Sequence, residues 1–494
     1  TDYYDKTILH YISLKNNVSI NPKGTQFAIG KIDSSVVIID VLTGKKIKTI
    51  KHHQVILAHD FSPNGKWLAL GSGDGEIKIY NTTNYALSKT LTGHQSLIFD
   101  VKFSYNSQQL VSGSWDGTMK VWNIANQKAI QTIDLGGFSP YLVRFSPKDL
   151  YVLSGDLGKD IKFWEIDSKT AFRSLIGHTK TISGIEFSPN QRHMLTSSWD
   201  GKVKVWDILT GMLIGKLATN NTPVYSVQYS ANGKQIISGS ADKMIYISDA
   251  LTLQNTDTLK GHTSAVSDIK MSQNGKYLIS RGANGEVFVW DYLQKKEIYT
   301  YFQINENDWL VKNPNGYFDG SPNALKLVNY VSGTDVISIN SLFDKYYTPH
   351  LVKRLMAGDQ LFDSGQNLNK IIDHLPQIEF QFASTQKREI NIKEDSVYQS
   401  KSKTFNVQVS ILENEKSIDE IRVYNNGKLL ENQSWQKNMS FRGGGNIQSF
   451  DIELVNGVND ITAIAISDNK TESNPIKLSV AYNNQATNSD LYVF

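Results

Sequence analysis

One period dominates the first three hundred residues of this 494-residue chain. Ile20 begins a degenerate copy of the repeat, 41 positions before the first full anchor. A period of about 40–45 residues, with Gly-His ahead of one strand and Trp-Asp after another, is typical of a four-stranded propeller blade. Together the copies predict a closed ring of seven blades. The six full apolar anchors, each just before a short turn, lie 42 positions apart at Phe61, Phe103, Phe145, Phe187, Tyr229 and Met271.

Each copy also has the local pattern of antiparallel strands. Segments such as Trp67–Leu70 and Val203–Trp206 alternate along the chain and are bounded by Gly, Asn and Asp. This two-residue alternation is what antiparallel sheet requires. We therefore predict an all-β propeller over residues 1–304, with no helix.

Two segments are candidates for the strand that closes the ring. A ring of blades removes its last exposed edges when one terminus adds a strand to a blade built mainly by the other terminus. Thr7–Leu14 and Glu297–Phe302 both have the pattern of an outer strand. The sequence does not choose between them, and Thr7–Leu14 is the preferred interpretation.

The period stops at Asn305, and residues 305–375 are predicted to form a small mixed connector. Asp308–Ser321 has the composition of a turn-rich bridge, not of an eighth blade. Ser341–Tyr347 and Pro349–Gly358 have helical patterns, the second with Pro in its first turn and a terminating Gly.

Strand patterns return over residues 376–483. Asn425-Asn426-Gly427-Lys428, between two apolar segments, is a strong hairpin signal. About 100 residues of such strands favour an immunoglobulin-like sandwich. Residues 484–494 are predicted to be a polar linker followed by the start of a further domain.

Charge and composition exclude several classes of function. Lys and Arg number 51 against 48 Asp and Glu, and the net charge of +3 is too small to favour a nucleic-acid or anionic-membrane partner. No apolar run reaches the length needed to insert into a membrane. The chain has no Cys, which excludes disulfides, thiolate metal sites and a cysteine nucleophile within these residues.

The repeats resemble the WD-repeat propeller family. The resemblance is carried by "GHTKTISGIEFSPN" and "MLTSSWDGKVKVWD", both within residues 177–207, and by the equivalent segments of the other copies. It covers residues 15–302 and implies the propeller fold and a role in binding other proteins.

A second resemblance covers the whole chain. The order of propeller, "DWLVKNPNGYFDGS", helical segment, sandwich with "IRVYNNGKLL" and terminal "DLYVF" is similar to the N-terminal part of bacterial WD-repeat proteins that carry a caspase-like cysteine peptidase domain. The catalytic His and Cys of that family have no matching positions here. This resemblance implies a sensing or substrate-presenting region, with the peptidase domain as a partner in cis.

Two copies pair a His with an Asp, which could suggest catalysis. In WD-repeat proteins, however, these residues form a buried hydrogen-bonded set with Ser and Trp that locks a turn, and we favour that structural role. Two further sets, His52–Asp74–Tyr80 and His262–Asn284–Trp290, are expected to be partial. The two complete sets are His94, Asp116 and Trp122, and His178, Asp200 and Trp206.

No Gly-x-Ser-x-Gly, Walker-type or His-x-x-x-His motif is present. We therefore predict no cofactor, no metal site and no catalytic residues in this chain. An enzyme acting in the propeller channel is the least favoured interpretation.

The family also implies a binding face. In WD-repeat proteins, the residue five positions after the Gly-His histidine and the residue just before the turn Asp point to the narrow face. Exposed Tyr and Trp commonly anchor interfaces, so we predict a protein or peptide ligand there. The alternative is that Trp115 and Trp199 pack only on neighbouring loops. The aromatic residues at these positions are Phe99, Trp115, Tyr141, Trp199 and Tyr225.

These observations are compatible with two functions. The first is the protein-recognition region of a bacterial caspase-like protease system, in the cytoplasm or the periplasm. The second is a free-standing WD-repeat scaffold for a multiprotein assembly with no peptidase partner.

Overall fold

The computed structural model divides the chain into two compact units. The first contains Thr1–Pro314 and His350–Leu361, and the second contains Asn315–Pro349 and Phe362–Phe494. The structure describes residues 17–31, 33–136, 139–156, 159–166, 170–217, 222–332, 335–338, 346–359, 361, 377–381, 397–412, 418–430, 447–467 and 472–483.

Seven antiparallel sheets follow one another along the first unit, and in each sheet strands adjacent in sequence are paired. Sheets 1 to 4 contain β1 (Val18–Ile20), β2 (Gln26–Gly30), β3 (Ser35–Asp40) and β4 (Lys46–Lys51); β5 (Ile56–Phe61), β6 (Trp67–Ser72), β7 (Ile77–Asn81) and β8 (Leu87–Leu91); β9 (Ile98–Phe103), β10 (Gln109–Ser114), β11 (Thr118–Asn123) and β12 (Lys128–Asp134); and β13 (Pro140–Phe145), β14 (Tyr151–Asp156), β15 (Ile161–Glu165) and β16 (Ala171–Leu175), with a 3-10 turn at Pro147–Asp149. Sheets 5 to 7 contain β17 (Ile182–Phe187), β18 (His193–Ser198), β19 (Val203–Asp207) and β20 (Leu213–Leu217); β21 (Val224–Tyr229), β22 (Gln235–Ser240), β23 (Ile245–Asp249) and β24 (Asn255–Leu259); and β25 (Val266–Met271), β26 (Tyr277–Gly282), β27 (Val287–Asp291), β28 (Lys296–Gln303) and β29 (Trp309–Lys312).

The period of 42 residues corresponds to one sheet, and each anchor is the last residue of a first strand. A buried Ser follows most anchors and organises the next turn. Ser62, for example, donates from Oγ to Asn64 Oδ1 at 2.8 Å and accepts from the backbone N–H of Trp67 at 2.9 Å. The Ser hydroxyl thus hydrogen-bonds to both sides of the turn. Because the same bonds recur, the chain reverses at the same place in each copy. Equivalent bonds to the N–H five residues on are made by Ser104, Ser146, Ser188, Ser230 and Ser272.

The first strands of successive sheets lie side by side, and β1 contacts both β5 and β25. The backbone N–H of Val18 donates to Asp268 Oδ2 at 3.1 Å, and Arg281 Nη1 donates to the carbonyl of Asn17 at 2.9 Å. The first and last sheets are therefore joined directly by hydrogen bonds.

The preference for Thr7–Leu14 as the outer strand of the last sheet is wrong. β28 fills that position, with Val287 opposite Tyr301. β29 then pairs with the outer edge of β28, with Tyr301 opposite Val311. Sheets 1 to 6 thus draw four strands each from their own repeat, whereas in sheet 7 the chain adds β29 and so covers the outer edge of β28. Thr7–Leu14 lies outside the described residues.

The connector also differs from the expectation. The Asp308–Ser321 segment is not only a bridge, because Trp309–Lys312 extends sheet 7. A helix at Leu351–Met356 lies in the first unit, contacts β29 and buries Leu351 and Val352. Gly358, with φ of 85°, follows its end, where the sequence places a terminating Gly. Residues 341–345 lie outside the described part of the chain.

Two sheets of the second unit share one core. The first has the strand order β33 (Ile378–Gln381), β35 (Thr404–Ile411), β38 (Ile447–Glu453), and the second has the order β34 (Tyr398–Ser400), β40 (Ile476–Tyr482), β39 (Gly457–Ser467), β36 (Ile418–Asn425), β37 (Lys428–Leu429). Val407 and Phe450 from the first sheet pack in one cluster with Val423 and Ile461 from the second. Asn426 and Gly427 both have positive φ in the turn between β36 and β37, where the hairpin signal lies. The other described elements of this unit are β30 (Phe318–Gly320), a helix at Ala324–Leu327, and β31 (Asn329–Ser332) and β32 (Asp335–Ser338), which pair as a two-stranded sheet.

Candidate functional site

A buried chain of hydrogen bonds supports one end of sheet 3. His94 Nδ1 lies 2.8 Å from Asp116 Oδ2, and His94 Nε2 lies 2.7 Å from Ser112 Oγ. Trp122 Nε1 donates to the same hydroxyl at 2.8 Å. All groups are satisfied when Ser112 donates to Nε2 and the Nδ1–H of His94 donates to the carboxylate. Burial lowers the pKa of His94 despite the Asp116 carboxylate, which favours this neutral tautomer.

The order Ser, His, Asp invites comparison with a nucleophilic triad. Ser112, however, is completely buried and shares its hydroxyl with an indole N–H. Asp116 also accepts from the backbone N–H groups of Gln95 and Thr118, at 2.9 Å each. The set therefore ties the loop before β9 to the turn between β10 and β11, and a substrate has no route to the hydroxyl.

Sheet 5 has the same arrangement with Thr in place of Ser. His178 Nδ1 lies 2.8 Å from Asp200 Oδ2, and Thr196 Oγ1 lies 2.7 Å from His178 Nε2. Trp206 Nε1 donates to Thr196 Oγ1 at 2.9 Å. The structure brings together all six residues that the sequence assigned to these two sets.

Sheet 7 has a complete network that the sequence analysis expected to be partial. His262 Nδ1 contacts Glu286 Oε1 at 2.9 Å, whereas Asn284 bonds to Ser264. The other partners, Ser280 and Trp290, occupy the usual places. Burial alone would raise the pKa of Glu286, but hydrogen bonds from His262 and Thr263 outweigh it and hold this pKa at about 2. The assignment of Asn284 to this set is corrected to Glu286, whose longer side chain reaches the ring from two positions further along.

Sheets 2 and 6 depart from the pattern. Both ring nitrogens of His52 are buried without a hydrogen-bond partner, and Asp74 accepts from Ser72 instead. In sheet 6, Tyr246 Oη donates to Asp242 Oδ2 at 2.6 Å, which supplies a substitute tie. Gly158 and Asn220, at the corresponding positions of sheets 4 and 6, lie outside the described residues.

The predicted aromatic rim is partly buried, contrary to the expectation that its residues lie outside the core. Phe99 and Tyr141 are only 1% and 5% exposed. Phe99 contacts Trp115 with ring centroids 5.4 Å apart and Tyr141 with centroids 6.1 Å apart. These side chains fill the space between neighbouring sheets, so they stabilise the fold.

A second aromatic pair remains half-exposed. Trp199 and Tyr225 make an edge-to-face contact with centroids 6.3 Å apart, and both are half-buried. With Tyr141, they line a small cavity of about 60 Å³ among the first strands. This volume holds a few water molecules but no organic ligand.

Members of three ion pairs line this cavity. Lys102 Nζ lies 2.6 Å from Asp60, Arg144 Nη1 lies 2.5 Å from Asp100, and Lys270 Nζ lies 2.9 Å from Asp268. Each carboxylate also accepts a backbone N–H group of the next sheet: Phe103 donates to the other oxygen of Asp60, and Val143 donates to the same Oδ2 of Asp100 that Arg144 contacts. These Asp carboxylates therefore link the first strands of neighbouring sheets.

His59 gives the first unit a defined response to acid. Its Nε2 lies 3.2 Å from the Asn17 carbonyl and its Nδ1 lies 2.7 Å from Ser19 Oγ, and the ring is buried. Burial, with smaller contributions from Arg281 and Lys102, lowers the pKa of His59 to about 3. Between about pH 3 and pH 6.5, His59 is therefore protonated in the unfolded chain and neutral in the folded chain.

We expect the free energy of unfolding to fall by about 1.4 kcal/mol per pH unit from His59 alone as the pH drops from about 6 to 4. The variant His59→Gln should lack this component, because it cannot titrate. His53→Gln, at an exposed position, is the matched control. Urea unfolding followed by Trp fluorescence at several pH values measures the difference, and identical pH slopes for parent and His59→Gln would contradict the assignment.

Five segments match the family model described as WD domain, G-beta repeat: residues 44–81, 86–123, 169–207, 211–249 and 253–291. Each match runs from the fourth strand of one sheet to the third strand of the next sheet. Small ribosomal subunit protein RACK1 from Drosophila melanogaster is 36% identical over 66 residues, which is 13% of this chain and 20% of that protein. The chain thus matches about a fifth of the length of that relative.

These matches support a WD-repeat propeller protein, and WD repeats imply a protein-interaction scaffold. Within the described ranges, no helix is long and apolar enough to cross a membrane. In the same part of the chain, no three His, Cys, Asp or Glu side chains are grouped as metal ligands.

Proposed function

We propose that the seven sheets form a seven-bladed WD-repeat propeller that acts as a protein-recognition module. The ligand is a protein or peptide segment that docks on the narrow face, where the His–Asp turns lie. The main supporting observation is the half-buried Trp199–Tyr225 pair, which lines the cavity among the first strands. Aromatic side chains held in a fixed geometry lose little entropy on binding, and they anchor many interfaces.

The buried sets give this face its rigidity. Asp200, next to Trp199, is held by His178 and by the backbone N–H of Thr179 at 3.0 Å. The backbone N–H of Trp199 donates to the Thr181 carbonyl at 3.0 Å. The network thereby fixes the turn that presents the Trp199 ring.

Replacing Trp199 and Tyr225 by Ala should weaken peptide binding at least tenfold, because the two rings anchor the ligand, and a melting curve checks that the variant is folded. The peptide is first selected by phage display on the immobilised whole chain and is then titrated by fluorescence anisotropy. Leu251→Ala, which removes a 90% exposed apolar side chain elsewhere, is the control. Unchanged affinity in the double variant would place the site elsewhere.

The finer proposal joins this module to a caspase-like cysteine peptidase domain in cis, with the second unit as an immunoglobulin-like sandwich between them. Its support is the resemblance of the segments at 308–321 and 490–494, together with two sheets that share one core. The coding sequence beyond Phe494 tests it: a His-Gly segment followed by an Asp-x-Cys-like segment is expected. A coding sequence without them favours the free-standing scaffold.

A further inference from the structure

A second candidate binding surface lies at the opposite end of sheets 4 and 5. It is a groove of about 520 Å³, which we call the turn groove, lined by Pro147, Lys148, Leu150, Tyr151, Phe172, Arg173, Asn190, Gln191, Arg192, Asp207, Ile208 and Leu209. Asn190–Arg192 precede β18, whereas Trp199 follows it. A six-residue strand spans about 20 Å, so the groove is separate from the aromatic rim.

The floor of the turn groove is aromatic. Phe172 is 47% exposed and meets Tyr151 edge to face, with ring centroids 5.5 Å apart. Phe163 supports it from below at 6.0 Å between centroids. Leu150 and Leu209, at 67% and 84% exposure, form apolar walls. A contiguous exposed surface of this kind is typical of an interaction site.

The groove is braced from inside. Arg173 Nη1 donates to the Ile208 carbonyl at 2.8 Å, and its Nη2 donates to the Leu209 carbonyl at 3.0 Å. The same guanidinium lies 6.0 Å from the centre of the Phe172 ring. One side chain therefore ties β16 of sheet 4 to the turn after β19 of sheet 5 and fixes the width between them.

The charges of the groove are complementary to an acidic ligand. Lys148 and Arg192 are exposed, and with Arg173 they give three cations among the lining residues. Asp207 is the single carboxylate among the lining residues, and it accepts from the backbone N–H and the hydroxyl of Thr210, at 2.8 and 2.9 Å. Lys148 and Arg192 come from different sheets, so they can contact carboxylates on either side of an apolar side chain seated on Phe172.

We propose that the turn groove binds an extended acidic segment of a partner protein, with one apolar side chain on Phe172. The apolar walls are highly exposed turn tips. A polypeptide can cover them, whereas they are too open to enclose a small molecule.

Fluorescence anisotropy with two fluorescein-labelled ten-residue probes tests the proposal on the whole chain. Both probes have a central Leu-Phe, flanked by Glu in one and by Lys in the other. We expect the Glu probe to bind at least tenfold more tightly, with affinity that falls as salt rises. The double variant Lys148→Glu, Arg192→Glu should weaken it at least tenfold, as should Phe172→Ala.

Matched controls come from the same repeat positions. Lys234 lies 42 residues after Arg192 and is exposed, and Ile130 lies 42 before Phe172 and is 44% exposed. Lys234→Glu and Ile130→Ala should leave the affinity unchanged, and so should Trp199→Ala, which tests the rim separately. Failure of the Glu probe to bind, equal binding of both probes, or unchanged affinity in the charge-reversed variant would overturn the proposal. Self-association seen by light scattering and abolished by Phe172→Ala would assign the groove to a second copy instead.

Discussion

Replacing Thr196 by Val should lower the free energy of unfolding by about 2–4 kcal/mol. The Thr196 hydroxyl is buried, accepts from Trp206 Nε1 and lies 2.7 Å from His178 Nε2. Val has nearly the same shape, so packing is preserved while both nitrogens lose their partner. The cost is the desolvation of two buried polar groups, because no water replaces the hydroxyl in a filled site.

Thr49→Val is the matched control for this prediction. The Thr49 hydroxyl is buried without a hydrogen-bond partner, so its removal should be neutral or slightly stabilising. Urea unfolding followed by Trp fluorescence is suitable, because eight of the nine Trp residues precede residue 315. Equal effects of the two substitutions would mean that the hydrogen-bond network contributes nothing beyond packing.

The repeat placed the sheets correctly because it reflects a purely local rule. Each anchor ends a strand, and the Ser that follows satisfies the turn within five residues. The spacing of 22 residues from His94 to Asp116, and from His178 to Asp200, likewise brought the correct partners together. These contacts lie within one sheet and its leading loop, so a single copy contains the information.

Glu286 was missed because the pattern fixes a position, whereas the contact depends on side-chain length. The turn position in sheet 7 is Asn284, but the Glu two residues later reaches His262. A carboxylate directly before the third strand, two residues after the Asn of the turn, was the available signal. Tyr246 likewise bonds to Asp242 in sheet 6 from a position that is Lys in sheets 2 to 5.

The burial of Phe99 and Tyr141 could not be read from one copy. Their environment is set by the adjacent sheet, since Phe99 of sheet 3 packs on Tyr141 of sheet 4. Tyr225 occupies the equivalent position in sheet 6 but is half-buried, as are Trp115 and Trp199 before their turn Asp residues. The sequence therefore identified which positions reach this end of the sheets, whereas exposure depends on how neighbouring sheets pack. The prediction of the closing strand was wrong for a related reason. β28 and Thr7–Leu14 have the same local pattern, so the pattern alone does not decide which of them pairs with β27.

Asp268→Ala should have the largest effect on stability, about 3–5 kcal/mol, because it breaks a buried ion pair from one side. Asp268 accepts from Lys270 at 2.9 Å, from Ser226 at 2.7 Å and from the backbone N–H of Val18 at 3.1 Å. Its removal leaves the Lys270 ammonium and the buried Arg281 guanidinium without their compensating carboxylate. Burial would raise the pKa of Asp268, but Lys270 and these hydrogen bonds lower it, so its contribution is present at neutral pH and is lost in strong acid.

Asp60→Ala is the control that distinguishes the role of Asp268 from the mere loss of an ion-paired carboxylate. Asp60 makes an equivalent tie, with Lys102 at 2.6 Å and the backbone N–H of Phe103 at 3.0 Å, but it joins sheets that are consecutive in the chain. Asp268 joins residues 250 positions apart, so the bond to Val18 holds the first sheet against the last. Hydrogen exchange at Val18–Ile20 should therefore accelerate in Asp268→Ala and stay unchanged in Asp60→Ala, although both variants are destabilised. If exchange in β1 is the same in the two variants, Asp268 stabilises the fold without closing the ring.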